Sequence, residues 1–541
     1  MIPDAHKTVY DVFQAAAGSY SGRPLFNTLA STAEIYGIAA GEITFAEAST
    51  HVEKWAERFE SAGYSSGMRV GLLLENRPEF FIIWLALNKL GASIVPINPD
   101  LRSAELEYMF ANSEPVLIIA NADRLKVLQD AADAAGVALL AISLADPLPA
   151  PRPEAAVAEI TPSGFDREAA VLYTSGTTGN PKGCVLANSY FLEVGRWYST
   201  LGGIISLTTD GERMITPLPI FHMNAMAYSF MAMVSVGGCL TVLDRFHPRS
   251  WWRDVRDSGA TCLHYLGVMP SMLMGMDPSP EDLEHSVRFG FGAGVDPKLH
   301  AAFEVRFGFP LMEAWAMTET GAGAVISNHT SDRLIGQAAL GCAPDWLDVC
   351  VLDDRGQPVA PGEPGELLVR RKGDTPRLGF FTEYYKNPEA TAEAWENGWF
   401  HTGDIVREGD DGYMFFVDRK KNVIRRSGEN IAAVEVESIL MRHPEIKAAA
   451  VAPVPDEIRG DEVFACLNVD NPSDAKAIEI VEWALTQMAY YKVPGYIAFV
   501  DALPLTSTQK IQRAELKKLA QERVADAATI NTIHLKKRSA T

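Results

Sequence analysis

The segment 173–183 holds the residues of this sequence whose chemistry is easiest to interpret. It reads Tyr-Thr-Ser-Gly-Thr-Thr-Gly-Asn-Pro-Lys-Gly and contains three glycines, four Thr or Ser hydroxyls and one lysine. Glycine lacks a Cβ and accepts positive φ, so the backbone N–H groups of such a loop can surround a polyphosphate, and Lys182 adds a positive charge. The spacing does not fit the GxxxxGK[ST] loop. A flexible surface turn is the alternative, but the strand-like residues 169–173 before the loop favour phosphate binding.

Six further segments place glycines, carboxylates, aromatic rings and lysines in order along the chain. They are 217–222 (Pro-Leu-Pro-Ile-Phe-His), 292–294 (Gly-Ala-Gly), 313–319 (Glu-Ala-Trp-Ala-Met-Thr-Glu), 399–404 (Trp-Phe-His-Thr-Gly-Asp), 418–430 (Asp-Arg-Lys-Lys-Asn-Val-Ile-Arg-Arg-Ser-Gly-Glu-Asn) and 504–510 (Pro-Leu-Thr-Ser-Thr-Gln-Lys). A single Glu, Asp or Trp in such a segment is usually a solvated or a core residue. The ordered series of segments is what indicates a function.

Together with the loop at 173–183, these segments resemble the acyl-adenylate-forming enzymes: acyl-CoA synthetases, firefly-type luciferases and adenylation domains of peptide synthetases. The chain most resembles a stand-alone acyl-CoA ligase, and residues 416–430 are weakly similar to carnitine/crotonobetaine-CoA ligases. The resemblance implies an ATP-dependent acid–CoA ligase. A small carboxylic acid and ATP would give an acyl-adenylate and pyrophosphate, and CoA would then give an acyl-CoA thioester and AMP. ATP, CoA and Mg²⁺ are the implied co-substrates and metal.

The resemblance also assigns roles in binding ATP and CoA. These residues are Thr174, Ser175, Gly176, Thr177, Thr178, Gly179, Lys182, Gly292, Ala293, Gly294, Trp315, Asp404, Arg419, Arg425 and Gly428. An aromatic face at Trp315 would stack on adenine, and Asp404 would accept hydrogen bonds from the two ribose hydroxyls. Arg425 and Arg426 would meet CoA phosphates, with a solvated basic turn as the alternative.

The implied catalytic residues come from several segments. Lys510 would reach the α-phosphate and the acyl carboxylate, Thr318 would touch the α-phosphate, and Glu319 would hold Mg²⁺, an ion that prefers oxygen ligands. Lys421 would be the hinge of a domain movement between the two half-reactions. The residues assigned to the acid are His222, Met223, Asn224, Tyr265, Gly267 and Ala316. His222 has a satisfied core histidine as its alternative.

Two positions depart from the family pattern. Gln509 stands before Lys510 where glycine is common, and Trp315-Ala316 replaces the usual Tyr-Gly, which puts the size of the substrate in doubt. Short-chain, medium-chain, aryl and carnitine-like acids all stay open. Two other functions also stay open: an adenylating enzyme whose acceptor is a carrier-protein thiol or oxygen, and an inactive adenylate-binding regulator. The intact lysines and carboxylates of the series argue against the regulator.

The composition excludes further classes of protein. The net charge of −21 supplies no long basic face for a nucleic acid. The six cysteines form no CxxC pair, which predicts reduced, buried thiols and a cytoplasmic protein. The N-terminus lacks the apolar core of a secretory signal. Residues 223–243 carry no formal charge, but their polar and glycine interruptions favour a buried helix and a core strand over a membrane span. A homodimer is left open.

The length of 541 residues predicts more than one hydrophobic core. Strand signals at 70–75, 93–97, 116–120 and 137–142 alternate with helix signals at 78–90, 104–112 and 125–135, which indicates a parallel sheet covered on both faces. Turn clusters predict a small β-rich unit at 337–415.

With the family resemblance, the predicted fold class is α/β. A large N-terminal domain at 1–418, made of two mixed sheets with helices and a small β-barrel-like subdomain, would bind ATP and the acid. A hinge at 419–421 would lead to a smaller, mobile α+β domain at 422–541 that acts as a lid. The tail after Ala525 is predicted to be frayed, and the basic run that follows Leu535 to be a solvated end.

Overall fold

The structure, a computed structural model, describes residues 6–152, 164–174, 180–353, 355–419, 423–504 and 511–537. The chain forms two units, each with its own internal packing. Unit 1 consists of Met1–Asn98, Phe110–Leu172 and Gly183–Asp418, and unit 2 consists of Pro99–Met109, Tyr173–Lys182 and Arg419–Thr541. The segments with predicted chemistry are therefore shared between the two units.

An eight-stranded sheet carries most of the predicted site residues of unit 1. Its strands, in spatial order, are Ile326–Ser327, Leu311–Trp315, Phe289–Ala293, Cys262–Leu266, Arg213–Thr216, Cys239–Val242, Pro24–Thr28 and Gly41–Thr44. The inner strands are parallel, and the two edge strands are antiparallel to their neighbours. Parallel strands end at the same edge of a sheet, so the loops after Leu266, Ala293 and Trp315 lie next to one another.

A second, seven-stranded sheet contains the strands predicted at the start of the chain. In order they are Glu383–Tyr384, Lys182–Ala187, Glu168–Thr174, Ser93–Pro96, Arg69–Leu73, Leu117–Ala120 and Ala141–Ser143. The last strand begins later than predicted, because residues 137–140 form no ladder. The β-rich unit predicted at 337–415 is an antiparallel sheet of Ala339–Cys342, Tyr413–Arg419, Phe400–Glu408, Pro364–Arg371 and Leu347–Leu352.

Helices connect the strands of the sheets described above. Their bounds are Val9–Ser19, Ala30–Tyr36, Phe45–Ala62, Pro78–Lys89, Ser103–Ser113, Leu125–Ala134, Asn188–Thr200, Asn224–Ser229 (a π-helix), Phe230–Val236, Trp251–Ser258, Val268–Met274, Pro297–Phe307 and Pro388–Ala394. Helix Pro78–Lys89 begins with a proline at its first turn and buries every residue from Phe80 to Asn88. A helix that is apolar on all sides must lie in a core, and Trp84 packs its ring against Phe191 and Phe230.

The uncharged stretch 223–243 is built as predicted. It forms the π-helix, the helix Phe230–Val236 and the core strand Cys239–Val242, and Gly237 ends the second helix in the left-handed conformation. Among the residues that the structure describes, no helix is both long enough and apolar enough to cross a bilayer.

Unit 2 contains a sheet of its own. Its strands are Glu429–Ala432, Val423–Arg426, Gly460–Val469, Tyr496–Phe499 and Ile530–Asn531 in order, with Ile446–Asp456 paired to Gly460–Val469. Its helices are Ala433–Leu440, Asp474–Gln487 and Arg513–Arg523. Val436 and Ile480 pack with Val463 and other sheet residues into a separate hydrophobic core. The predicted α+β character of this region is confirmed.

The predictions for the C-terminal tail and for the burial of the cysteines were wrong. Residues 526–537 of the tail are not frayed, because Ile530–Asn531 joins the sheet and both Thr532 and Lys536 are buried. The thiols are free as predicted, but only four of the six are buried, since Cys342 is exposed and Cys350 is half-exposed. Cys342 lies in an edge strand of the antiparallel sheet, where one side faces solvent.

Candidate active site

Two glycine turns meet at the edge of the eight-stranded sheet in unit 1. Strands Cys262–Leu266 and Phe289–Ala293 run in parallel, with Leu266 opposite Ala293. A Cβ on Gly267 would lie 1.7 Å from the Gly294 carbonyl oxygen, and a Cβ on Gly292 would lie 2.2 Å from the Tyr265 carbonyl oxygen. Real Cβ atoms do not approach backbone oxygens this closely, so both positions require glycine. The turn predicted against adenine and the predicted acyl residue Gly267 are therefore neighbours.

A buried carboxylate that sequence analysis left without a role holds this turn. Glu313 Oε1 accepts hydrogen bonds from the backbone N–H groups of Gly294 and Val295, both at 3.1 Å. Burial raises the pKa of Glu313, and His300, 4.0 Å from its other oxygen, acts in the opposite direction. The signal in the sequence was a single Glu between apolar neighbours in a strand pattern. Such a residue must find partners when the strand is buried.

The residues predicted to bind adenine and ribose are hydrogen-bonded directly to each other. Trp315 Nε1–H donates to Asp404 Oδ2 at 2.8 Å, and the two residues are 5% and 1% exposed. Asp404 lies in strand Phe400–Glu408, and its backbone N–H donates to Thr402 Oγ1 at 3.0 Å. A hydrogen bond to an ionised carboxylate is stronger than one between neutral groups. Trp315 therefore fixes the orientation of the Asp404 carboxylate.

Glu319 follows strand Leu311–Trp315 and is buried. Its Oε1 accepts a hydrogen bond from the Tyr384 hydroxyl at 3.0 Å, and its backbone oxygen accepts one from the Phe381 N–H at 2.8 Å. Burial and the charge of Glu319 raise the pKa of Tyr384, which keeps the phenol protonated as a donor. Thr318 beside it is half-buried. An oriented carboxylate is an oxygen donor of the type that Mg²⁺ prefers, so Glu319 fits the predicted metal.

The residues predicted beside the acid lie on or next to three elements: the π-helix Asn224–Ser229, strand Cys262–Leu266 and strand Leu311–Trp315. His222 precedes the π-helix Asn224–Ser229 and accepts a backbone hydrogen bond from the Met226 N–H at 3.1 Å. Met223 and Ala316 are half-buried and pack against the core. Tyr265 is 1% exposed, and its hydroxyl donates to the Met312 carbonyl oxygen at 3.0 Å. Tyr265 therefore contributes to the core, where its phenol is already hydrogen-bonded.

A histidine that sequence analysis missed holds Asn224. His264 Nδ1 lies 2.7 Å from Asn224 Oδ1 and 2.9 Å from Ser229 Oγ, and its Nε2 lies 3.1 Å from the Tyr198 hydroxyl. Burial lowers the pKa of His264 to about 3, so the imidazole is neutral. Because Asn224 Oδ1 only accepts, we assign the proton to Nδ1, and Nε2 then accepts from Tyr198.

The remaining predicted residues belong to unit 2. Thr174 ends strand Glu168–Thr174, Lys182 begins strand Lys182–Ala187, and both are half-buried. Arg425 is exposed, and Gly428 lies at a turn with φ of +90°. Several predicted residues lie outside the described part of the chain: Ser175, Gly176, Thr177, Thr178, Gly179, Lys421 and Lys510. The same holds for the side chain of Arg419.

The prediction that Arg426 meets CoA phosphates, or lies in a solvated turn, was wrong. Arg426 is 4% exposed, and its Nε donates to the buried Glu462 Oε2 at 2.8 Å. A side chain in strand Val423–Arg426 alternates between faces, and the Arg426 side chain lies on the covered face whereas Arg425 is exposed.

Family comparison places the chain. The model of the AMP-binding enzyme family matches residues 19–379, and the model of the AMP-binding enzyme C-terminal domain matches residues 435–510. The chain belongs to the AMP-binding enzyme family. This membership confirms the family and fold class predicted from the sequence. With the relatives described next, it also confirms the predicted class of enzyme, an AMP-forming acyl-CoA ligase.

Among relatives of this AMP-binding enzyme, the crotonobetaine/carnitine–CoA ligase of Shigella flexneri is 31% identical over 498 residues, covering 90% of this chain and 95% of the relative. The ligase of the same name from Salmonella paratyphi A is 32% identical over 490 residues, covering 88% of this chain and 93% of the relative.

Solved structures share the fold. An amide bond synthetase from Marinactinospora thermotolerans matches with a TM-score of 0.79 at 22% identity, covering 94% of this chain and 99% of that chain. The o-succinylbenzoate CoA synthetase of Bacillus subtilis matches with a TM-score of 0.77 at 23% identity, covering 94% of this chain and 98% of that chain. At these identities the likeness supports the fold alone.

Proposed function

We propose that this AMP-binding enzyme converts a small carboxylic acid, ATP and CoA into an acyl-CoA, AMP and pyrophosphate. The observation that carries the proposal is the Trp315–Asp404 hydrogen bond in unit 1, the same unit that contains the glycine turn held by Glu313. The aromatic ring of Trp315 suits a purine, and the backbone of the glycine turn lets that purine approach closely. The oriented carboxylate of Asp404 suits the two hydroxyls of a ribose.

In the first half-reaction, a carboxylate oxygen of the acid attacks the α-phosphorus of ATP, and the bond to pyrophosphate breaks. Enzymes accelerate such a step by positioning both reactants and by neutralising the charge that builds on the leaving group. Asp404 would hold the ribose, Thr318 the α-phosphate, and Lys182 with residues 174–179 the other phosphates. Mg²⁺, when bound at Glu319, would supply positive charge beside the phosphates. Lys510 is proposed to reach the reacting carboxylate.

In the second half-reaction, the thiol sulfur of CoA attacks the acyl carbonyl carbon, the bond to AMP breaks, and the thiol proton is lost. We assign Gly428 and Arg425 to the CoA side of this step and Lys421 to the hinge between the two half-reactions. The domain bounds that accompany this assignment are 1–418, 419–421 and 422–541. Glycine at 428 suits a close approach of an extended ligand, because its φ of +90° and its missing Cβ leave the backbone exposed.

Crotonobetaine and carnitine are the preferred candidates for the acid substrate, because ligases named for them cover 88–90% of this chain at 31–32% identity. The acyl end is assigned to His222, Met223, Asn224, Gly267 and Ala316, with Tyr265 supporting them from the core. Asn224 is held by His264, so its amide has one defined orientation toward a ligand.

Exchange of labelled pyrophosphate into ATP tests the first step. The assay uses crotonobetaine, carnitine and a panel of short, medium and aryl acids, and each reaction is then repeated with CoA to detect the thioester. We expect exchange with at least one acid, and thioester only when CoA is present. Glu319→Gln should lower the exchange rate roughly a hundredfold, as expected for loss of a transition-state charge partner. The matched variant Glu34→Gln, at an exposed helix position, should exchange like the unmodified protein.

Two outcomes would contradict the proposal. One is the absence of exchange with every acid tested. The other is equal activity of Glu319→Gln and Glu34→Gln. Exchange with an acid but no thioester under any condition would instead favour a carrier-protein thiol or oxygen as the acceptor.

A cytoplasmic location completes the proposal, and a homodimer stays open. Free thiols at all six cysteines support the location, since reducing compartments keep thiols unpaired. Sedimentation of the purified protein tests the assembly, and a single species at the mass of one chain would remove the dimer.

A further inference from the structure

The C-terminal segment 529–537 is fastened to the sheet of unit 2 by several independent contacts. Ile530 and Asn531 pair with strand Tyr496–Phe499. The Thr532 N–H donates to the Gly495 carbonyl oxygen, and the Thr532 hydroxyl donates to the Pro494 carbonyl oxygen, both at 2.9 Å. These contacts place the following residues, 533–537, over a fixed part of the sheet.

Within the segment 529–537, Lys536 contacts the buried carboxylate of Glu462. Lys536 Nζ donates to Glu462 Oε1, and both side chains are 0% exposed. The other carboxylate oxygen, Oε2, accepts from Arg426 Nε at 2.8 Å. Glu462 thus links the segment 529–537 to strand Val423–Arg426, which lies on the other side of strand Gly460–Val469 in this sheet.

Space for Glu462 is made by Gly495. A Cβ at that position would lie 2.6 Å from Glu462 Cδ, so a larger residue would displace the carboxylate. Glu462 Oε1 also accepts from the Val463 backbone N–H at 2.8 Å. The carboxylate therefore has one orientation, set by backbone, Lys536 and Arg426 together.

Arg426 stands immediately before the turn that carries Gly428. Arg426 pairs with Glu429, so Ser427 and Gly428 are the two central residues of the hairpin turn. Their φ values are +50° and +90°, and the Ser427 N–H donates to the Arg459 carbonyl oxygen at 2.9 Å. Positive φ at both central residues is typical of a two-residue hairpin turn, whose backbone twist matches that of the strands on either side. Arg426 is the last strand residue before this turn.

Stability alone does not explain the cluster. Burial lowers the pKa of Lys536 to about 7, an effect that Glu462 opposes and Arg426 adds to. Taking two cations and one carboxylate out of water is costly, and such clusters are often no better for stability than apolar residues of similar size. Burying Lys536 costs free energy, and its contact with Glu462 also fixes Arg426 beside the turn. This combination indicates that Lys536 and Glu462 position the turn.

We propose that Lys536 and Glu462 are positioning residues for CoA, acting through Arg426 on the Ser427–Gly428 turn. This inference rests on the proposed function, in which Gly428 faces CoA. It makes Lys536 and the segment 529–537 part of the thioester half-reaction and gives them no part in adenylation.

The experiment measures both half-reactions on the full-length protein carrying Lys536→Met, with Lys537→Met as the matched control. Lys537 is the next residue and is exposed. We expect Lys536→Met to raise the KM for CoA about tenfold, which corresponds to about 1.4 kcal/mol, while pyrophosphate exchange stays within about twofold of the unmodified rate. Lys537→Met should leave both half-reactions unchanged. Glu462→Gln, which keeps a hydrogen-bonding side chain of the same shape, should also raise the KM for CoA selectively.

A parallel fall of both half-reactions in Lys536→Met and Glu462→Gln would overturn the inference, because it would show general loss of folding in unit 2. An unchanged KM for CoA in both variants would overturn it as well. Failure of the proposed function is distinguishable from these outcomes, since the unmodified protein would then exchange no pyrophosphate with any acid.

Discussion

Replacing Trp315 with phenylalanine would remove one hydrogen bond and keep most of the aromatic surface. The indole Nε1–H is the donor to Asp404 Oδ2 at 2.8 Å, and both groups are shielded from water. Phenylalanine cannot donate, so the Asp404 carboxylate would lose this partner in a buried position. The chain offers a matched control in Trp395, which is also 5% exposed. Within the described residues, Trp395 Nε1 has no hydrogen-bond partner.

The size of the effect follows from this comparison. Both Trp→Phe substitutions shrink a buried ring by the same volume, so the cavity cost is similar in the two variants. Only Trp315→Phe breaks a hydrogen bond to a charged group, which contributes about 1.5–3 kcal/mol. The free energy of unfolding should therefore fall by about 1.5–3 kcal/mol more in Trp315→Phe than in Trp395→Phe. A less strongly held carboxylate should also raise the KM for ATP in Trp315→Phe.

Urea unfolding followed by circular dichroism measures the stability difference without relying on tryptophan fluorescence. Pyrophosphate exchange at varied ATP concentration gives the KM. Equal losses of stability in the two variants would refute the reasoning, because the hydrogen bond would then contribute nothing. An unchanged KM for ATP together with the expected loss of stability would show that Asp404 supports the fold and does not bind the ribose.

Two further predictions concern unit 1. Gly267→Ala should lower the free energy of unfolding by about 3 kcal/mol or more, because its Cβ would lie 1.7 Å from the Gly294 oxygen. The control Gly18→Ala, whose Cβ meets no atom within 4 Å, should not lower the free energy of unfolding. Similar unfolding midpoints of the two variants in urea would contradict this prediction. Burial lowers the pKa of His264 from 6.5 to about 3, so the folded state binds fewer protons than the unfolded state between these values. Its contribution to stability is then complete above pH 6.5 and is lost toward pH 3, with a slope of at most about 1.4 kcal/mol per pH unit. Urea unfolding from pH 4.5 to 7 should show a weaker pH dependence in His264→Gln, and parallel curves would count against a buried neutral imidazole.

Part of the candidate site could be proposed from the sequence, because some residue types are required by the local backbone geometry. Glycine is required at positions 292 and 267 by close backbone contacts. A Gly-x-Gly pattern at the end of a strand, as at 292–294, indicates such a contact. Asp404 was recognisable because it belongs to a short segment with glycine before it. The parallel sheet was predictable for the same reason, since the alternation of apolar strands and helices is a local property.

The supporting residues could not be predicted, because their roles depend on partners far away in the chain. His264 contacts Asn224 and Tyr198, which are 40 and 66 residues away. Lys536 in a basic run at the end of a chain looks like a solvated residue, and only the fold brings it to Glu462, 74 residues earlier. Burial of a charged side chain is a tertiary property that composition does not encode.

Two buried carboxylates of unit 1 also bear on the form of nucleotide that the enzyme binds. Glu319 and Asp404 are both buried carboxylates on a chain with a net charge of −21. A triphosphate brings further negative charge, and repulsion between like charges is strong where water is excluded. In the proposed function, Glu319 would face the triphosphate and would need a cation between them, whereas Asp404 would meet neutral ribose hydroxyls. If these roles hold, the enzyme should bind the magnesium complex of ATP in preference to free ATP, and excess free ATP should compete poorly with that complex.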